Sequence, residues 1–433
     1  MDIKIKPSSL SGTIKAIPSK AFAHRLLIAA ALADKPGLLH IGKLSEDIRA
    51  TIRCIEAMGA VVSSEEDRLT IFPIPETRRP GLTLDCGESG STARFLLPLA
   101  AHLFDSFEMT GRGKLPGRPF YPVCRALSDA GYEFDGDALP LSGRGKIQPG
   151  DFFIEGNISS QFISGLLFTL PLLDADSRIH ITTSLESVAY IDMTIEVLRL
   201  FGIKTEKTES GFTVPGGQQY SSPGPLTVEG DWSNAAFFLC MGALSGPVSV
   251  TGLQPASTQG DKEIVGILKL FGADVSGLKD SRQAELIYRY TARQGVSAQE
   301  NINIDASQIP DLVPALAVVA SVSPGQTRIY NAGRLRLKES DRIQSTFDML
   351  TALGADIRAC GDELILTGRK QLQGGLVDGA NDHRIVMAAA TAASVCKNPV
   401  TIRGAEATGK SYPGFFEDYQ SIGGEFIGIG SGK

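Results

Sequence analysis

The chain has 433 residues, enough for two or three domains at about 150 residues apiece. Its 42% hydrophobic and 21% charged content is ordinary globular usage, which excludes wholesale disorder. A net charge of −6 gives no global basic footprint, which argues against nonspecific nucleic-acid binding; an anionic ligand would need a local basic pocket.

In chain order, the amino-terminal stretch Met1–Lys6 alternates charged and apolar residues and lacks the apolar run of a signal peptide. Ala- and Leu-rich helices are predicted at Arg25–Ala33, Ala93–Leu103, Gln161–Leu173, Ala235–Leu244, Leu312–Val322 and Arg384–Val395. In several places a β-rich run follows, as at Gly37–Ile41, Ser177–Ile181 and Pro247–Val250, and then a polar loop and a second helix. That second helix ends each time on a glycine: Gly59, Gly131, Gly202, Gly272, Gly354 and Gly423, spaced by 72, 71, 70, 82 and 69 residues. Glycine closes helices there because it has no Cβ to penalise positive φ. The pattern is six strand–helix–strand–helix–strand units, too many for one core, so three and three in two domains is the natural grouping. The Gly- and Pro-rich stretch Val214–Pro225 is the linker candidate. Six scattered cysteines with no CxxC pair predict buried reduced thiols rather than a zinc ribbon or disulfide framework. The longest apolar runs fall short of about 18 residues, so no membrane span and a cytoplasmic location are expected.

Two glycine-rich stretches point to anions. Gly404 to Ser411 matches the phosphate-loop pattern G-x-x-x-x-G-K-[ST] letter for letter. A helix must open there, yet Pro413 and Gly414 follow, and only 22 residues remain after Ser411, too few for a nucleotidase core. The match reads as chance, sitting on an anion-binding Lys410. The second stretch, Asp85 to Arg94, runs into a predicted helix. Its Gly90-Ser-Thr start is either an anion site at the positive end of a helix dipole or an ordinary N-cap.

Other basic residues stand beside Gly, Pro or Ser rather than on solvated helix faces: Lys20 and Arg25, Arg118, Lys338 and Arg342, Arg384, Lys410. Each alone reads as a solvated charge. The spacing of Lys338, Glu339 and Arg342 places the two cations on one helical face with Glu339 nearby. Five such clusters in a net acidic chain imply a substrate with several negative charges. Asp311, and Ser159 with Ser160, precede helices and could merely cap them. Ser187 and Tyr190 carry little signal alone.

Taken together these residues resemble the 5-enolpyruvylshikimate-3-phosphate synthase family of the shikimate pathway. The likeness rests on the Lys20–Arg25 segment, Gly90 to Arg94, Gly117-Arg118-Pro119, Ser159-Ser160-Gln161, Pro310-Asp311, Leu337 to Arg342, Asn381 to Arg384 and Thr408 to Lys410. It implies an α/β fold of two similar domains, each of three βαβαββ units in an inside-out barrel, joined by a two-crossover hinge. The domains would be 20–225, and 1–19 with 226–433, the first strand belonging to the second domain. It further implies transfer of the enolpyruvyl group of phosphoenolpyruvate to the 5-hydroxyl of shikimate 3-phosphate, with domain closure. Lys20, Asp311 and Glu339 would serve acid–base chemistry. Lys20, Gly90, Arg118, Gln161 and Lys410 would hold the phosphoenolpyruvate phosphate, and Arg342 and Arg384 its carboxylate. Lys20, Arg25, Ser159, Ser160, Gln161, Ser187, Tyr190, Asp311 and Lys338 would hold shikimate 3-phosphate. No metal or cofactor is expected, the partners are the two small-molecule substrates, and the chain is expected to be a monomer.

Two departures stand out. Ala21 replaces the Ser usual after the hinge lysine, removing a hydrogen bond worth about 1 kcal/mol, and Glu88 stands where Asn is usual. Two other readings compete. Enolpyruvyl transfer to a UDP-sugar would call for a reactive Cys at the place of Gly113. A noncatalytic repeat scaffold would not need the clustered Lys, Glu and Arg.

Overall fold

The computed structural model describes residues 1–75, 81–280, 287–294 and 301–429. The chain divides into two compact units, Lys20–Val228 and a discontinuous unit of Met1–Ser19 with Glu229–Lys433. The second crossover therefore falls at Val228 rather than at Pro225. Leu226–Thr227 pairs in parallel with Gly37–His40, and the Val228 N–H donates to the His40 carbonyl, which holds these residues in the first unit.

Val214–Pro225 is not a linker. Tyr220 is buried and donates its hydroxyl to the Phe168 carbonyl at 2.7 Å, and the Ser222 N–H reaches Asp34 Oδ1. A Gly- and Pro-rich composition marks irregular backbone, and here that backbone is packed.

The Lys20–Val228 unit holds helices α1 (Lys20–Ala31), α2 (Glu46–Ala57), α3 (Gly90–Leu103), α4 (Tyr121–Asp129), α5 (Ser160–Thr169) and α6 (Val188–Leu200). Its three four-stranded sheets share one pairing pattern. In the second of them Thr83–Asp85 lies parallel to Ser106–Thr110, which pairs antiparallel with Leu141–Gly145, itself antiparallel to Tyr132–Phe134. A helix links the two sequential parallel pairs, Thr83–Asp85 with Ser106–Thr110 and Asp151–Ile154 with Ser177–Ile181, because a parallel crossover needs a dozen or so residues, whereas Leu226–Thr227 reaches Gly37–His40 from the far end of the unit.

The discontinuous unit repeats the pattern with α7 (Trp232–Ser245), α8 (Ile264–Leu270), α9 (Val313–Val322), α10 (Arg342–Ala352), α11 (His383–Ala393) and α12 (Phe415–Ser421), and three more sheets. Strand Asp2–Lys6 lies between Val400–Arg403 and Glu425–Ile429, so the first strand of the chain completes the last sheet.

The repeated glycines close their helices as the spacing predicts: Gly59, Gly131, Gly202, Gly272, Gly354 and Gly423 all have positive φ, from 79° to 110°. Two classes of helix result. α2 and α4 bury one face, whereas every residue of α11 is buried, and so is α7 from Trp232 to Leu244. A helix apolar all round belongs in an interior, and α7, α9 and α11 pack on one another there. The predicted Ala- and Leu-rich runs are these interior helices. Five of the six start earlier than expected, at Lys20, Gly90, Ser160, Trp232 and His383, while the sixth starts one residue later, at Val313, after the 3-10 turn Pro310–Leu312.

All six cysteines are free thiols; five are buried, and Cys360 is exposed, against the expectation of burial. Among the described residues no helix is long and apolar enough to cross a membrane.

Candidate active site

The sequence-predicted residues gather where helices begin. Lys20, Gly90, Ser160 and Gln161, Arg342 and Arg384 lie in the first turns of α1, α3, α5, α10 and α11. Unsatisfied N–H groups and the positive end of the dipole point outward at such ends, and the two units present separate sets of residues.

In the Lys20–Val228 unit the Lys20 ammonium lies 2.8 Å from Asp47 Oδ2. The Asp47 carbonyl receives the Thr92 hydroxyl in the first turn of α3. Arg25 is buried, and its guanidinium donates to Thr194 Oγ1, the Ala21 carbonyl and the Tyr190 carbonyl at 2.7–2.8 Å. Burial pushes its pKa down to about 9. Arg25 thus ties α1 to α6 and fixes Tyr190, and Ala21 takes part through its backbone oxygen. Ser187 is a buried N-cap of α6 with left-handed backbone, φ 53°.

Gly90 faces Arg118: a Cβ built there would stand 2.6 Å from Arg118 Nη1. Only glycine lets this guanidinium lie on the start of α3. Gln161 bridges, donating to Ser91 Oγ at 2.8 Å and accepting from Arg94 Nη1 at 2.9 Å. Ser159 caps α5 by accepting from the Gln161 N–H, and Ser89 caps α3, so the capping roles are real for these serines. Ser160 follows as the buried first residue of α5.

The discontinuous unit builds a denser set. Arg342, 1% exposed, donates Nε and Nη2 to Asp382, Nη2 also to Glu339 Oε2 at 2.6 Å, and Nη1 to Asp311 Oδ1 at 2.7 Å. Lys338 Nζ is 3.2 Å from the same Asp311 oxygen, and Arg384 Nη2 is 3.7 Å from Asp311 Oδ2. Burial pulls the Asp311 carboxyl up, but Lys338, Arg384 and Arg342 outweigh it and hold it well below the usual carboxylate range. Burial lowers the Lys338 ammonium to about 8 against the pull of Asp311.

Asp311 therefore does not serve as a side-chain cap of α9, whose N-cap is Leu312 with no side-chain hydrogen bond. Lys338 and Arg342 do not share a helix either. A short 3-10 turn, Gly333–Leu337, ends before Lys338, and α10 starts at Arg342 with Asp341 capping it from extended backbone. The two cations meet through Asp311 instead.

Lys410 donates to the Asn381 carbonyl at 2.7 Å. Around it Ala405–Lys410 winds as a 3-10 helix whose N–H groups turn back on their own segment, as from Ala407 to Gly404 and from Ser411 to Thr408. These are the donors a phosphate loop would direct at its nucleotide.

Asp47, Arg94, Asp382, Asp261 and Ser233 were missed as site residues by sequence reasoning. Asp382 and Arg94 lay within quoted motifs, and Asp382 caps α11; Asp47, Asp261 and Ser233 make contacts across long sequence separations that no local spacing announces. Among the described residues no group of three or more His, Cys, Asp or Glu is arranged to hold a metal ion.

Residues 5–419 match the family described as EPSP synthase (3-phosphoshikimate 1-carboxyvinyltransferase). A relative from Clostridium novyi (strain NT) named 3-phosphoshikimate 1-carboxyvinyltransferase is 42% identical over 434 residues, covering 98% of each chain. One of the same name from Clostridium kluyveri is 40% identical, over 100% of this chain and 99% of that one. The solved EPSP synthase of Acinetobacter baumannii superposes with a TM-score of 0.80 at 24% identity, over 99% of this chain and 100% of that one. The enolpyruvyl transferase NikO from Streptomyces tendae gives a TM-score of 0.77 at 16% identity over 98% of both chains. At these identities the two structures are alike in fold alone.

Proposed function

The chain belongs to the EPSP synthase (3-phosphoshikimate 1-carboxyvinyltransferase) family and is an enzyme of that class, and on that premise we propose that it joins the enolpyruvyl group of phosphoenolpyruvate to the 5-hydroxyl of shikimate 3-phosphate and releases phosphate. The observation that carries this reading is the Lys338–Asp311–Arg342–Glu339 cluster, with Arg384 beside it. It combines cations for anionic substrates with two carboxylates at the same point.

The chemistry is an addition followed by an elimination. The 5-hydroxyl oxygen attacks C2 of the enol and loses its proton while C3 gains one, giving a tetrahedral ketal with a methyl group. Elimination then returns the C3 proton and expels phosphate. Asp311, held ionised, accepts the 5-hydroxyl hydrogen bond and draws on its proton. Glu339 and Lys20 carry the remaining proton transfers.

Arg342 already donates four hydrogen bonds to the carboxylates of Asp382, Glu339 and Asp311. Its guanidinium has five N–H donors. One N–H, on Nη1, is thus left for a substrate carboxylate, and a second contact from Arg342 would displace one of these three side chains. Arg384 shares that carboxylate. Lys20, Gly90, Arg118, Gln161 and Lys410 take the phosphoenolpyruvate phosphate, in keeping with the Gly90–Arg118 contact. Arg25, Ser159, Ser160, Ser187, Tyr190 and Lys338 join Lys20, Gln161 and Asp311 around shikimate 3-phosphate. Arg25 acts there by fixing Tyr190. The enzyme works in the cytoplasm as a monomer made of the two units.

Transfer to a UDP-sugar is disfavoured at Gly113. It supplies no thiol, and its φ of +59° is left-handed backbone that residues with a side chain rarely adopt. The assignment is tested by supplying phosphoenolpyruvate with shikimate 3-phosphate or with a UDP-amino sugar and measuring phosphate. Release with the first pair is expected; release with the second alone would overturn it.

A further inference from the structure

Behind Arg384 lies a carboxyl that the reaction above does not use. Asp261, 2% exposed, sits in the 3-10 turn Gly260–Glu263 and receives the Ser233 hydroxyl on Oδ2. The carbonyl of the same Ser233 accepts Arg384 Nη1 at 2.8 Å. The other Asp261 oxygen, Oδ1, is buried without a hydrogen-bond partner. A buried carboxylate oxygen left unpaired is costly, whereas a protonated carboxyl needs no charge partner.

The groups around it explain why its charge can change. From the segment before α9 comes Asp311, from the start of α7 Asp231 and Ser233, and from α11 Arg384. Its own turn carries Lys262, whose ammonium reaches the Ser257 carbonyl, and Glu263. Arg384 thus stands among three aspartates, Asp231, Asp261 and Asp311, and Asp311 already has Lys338 and Arg342 on it.

We infer that Asp261 is a positioning residue for Arg384: through Ser233 it fixes the guanidinium, and by losing or keeping its proton it sets how much of the Arg384 charge reaches an anionic ligand. The inference rests on the proposed placement of the phosphoenolpyruvate carboxylate on Arg384. Burial, with Asp311 beside it, raises the Asp261 carboxyl to about 6 despite Arg384 and the Ser233 hydroxyl. A second anion brought to Arg384 raises it further, so binding takes up a proton.

The test compares the wild type with Asp261→Asn and Asp261→Ala between pH 5 and pH 8, with KM measured for each substrate. Taking the wild-type to Asp261→Asn ratio of phosphoenolpyruvate KM at each pH cancels the ligand's own ionisation. That ratio is expected to lie near 1 at pH 5 and to rise severalfold by pH 8, as the wild type gains a negative charge that Asn cannot carry. Asp261→Ala, which loses the acceptor for Ser233, is expected to raise phosphoenolpyruvate KM about tenfold and leave shikimate 3-phosphate KM unchanged. Asn is expected to restore it. A flat ratio, or an equal change in both KM values, would overturn the inference. Arg384→Ala separates the two levels: if it leaves phosphoenolpyruvate KM unchanged, the placement of the carboxylate fails. If it raises that KM while the ratio stays flat, only the role of Asp261 fails.

Discussion

Glu339 and Gly90 show how single atoms set what the site can do. Glu339 is 2.6 Å from Arg342 Nη2, and its side chain is 19% exposed, so it is partly open to solvent while held by a buried cation. Glu339→Gln keeps the shape and removes the transferable proton. It is expected to lower kcat by about 100-fold or more, the usual value of a positioned acid–base group, with both KM values changed little. Steady-state kinetics check this, and an unchanged kcat removes Glu339 from proton transfer. Gly90→Ala forces the Arg118 guanidinium away, since the added carbon would overlap Nη1. The expected cost is roughly a tenfold rise in phosphoenolpyruvate KM, the worth of one charge-assisted hydrogen bond. An unmoved KM would show that Arg118 does not touch that ligand.

Helix starts carry the next level, and Asp382 is the clearest case. It caps α11 through the Arg384 N–H, receives Ser340 Oγ, and holds both Nε and Nη2 of Arg342. Asp382→Ala leaves a buried guanidinium short of its main partner and should cost about 3–5 kcal/mol of stability, read by denaturant unfolding. A loss below about 1 kcal/mol, the worth of a cap alone, would mean that the pair adds nothing. Asp311 and Asp382 both have carboxyls held down in the folded chain by Arg342 and its neighbours, despite burial. Their contribution is fully present above the unfolded carboxylate value of about 4. It is lost as pH falls through the lower folded values, so acid unfolding of the wild type should set in below about pH 4 and shift upward in Asp382→Asn. The interior helices, and the glycines that close the second helix of each repeat, were legible in the sequence because burial all round and positive φ leave compositional marks. The partners of Arg342 were legible only as motifs. Glu339, three residues before it, was within reach of local spacing, but Asp311 and Asp382 meet it through the packing of α9, α10 and α11, which no local spacing encodes. The Val214–Pro225 stretch misled because Gly and Pro mark irregular backbone whether or not it is packed.

At the scale of the whole molecule, six sheets of one pairing pattern give each unit interior helices that begin in polar turns. A chain of net charge −6 can therefore serve anionic substrates, because folding gathers Lys338, Arg342 and Arg384 around Asp311. Lys410 belongs to this account rather than to a nucleotide loop. Lys410→Ala is expected to weaken phosphoenolpyruvate binding with no change in ATP hydrolysis, and an ATPase that depends on Lys410 would reverse that reading. The central claim is an addition–elimination between phosphoenolpyruvate and shikimate 3-phosphate. The most direct measurement is proton NMR of that reaction run in deuterium oxide. The account predicts phosphate release, an enol ether at the 5-oxygen, and deuterium in its vinyl methylene, because C3 passes through a methyl group. Failure to form the enol ether from this pair, or a product whose vinyl group carries no deuterium, would contradict it.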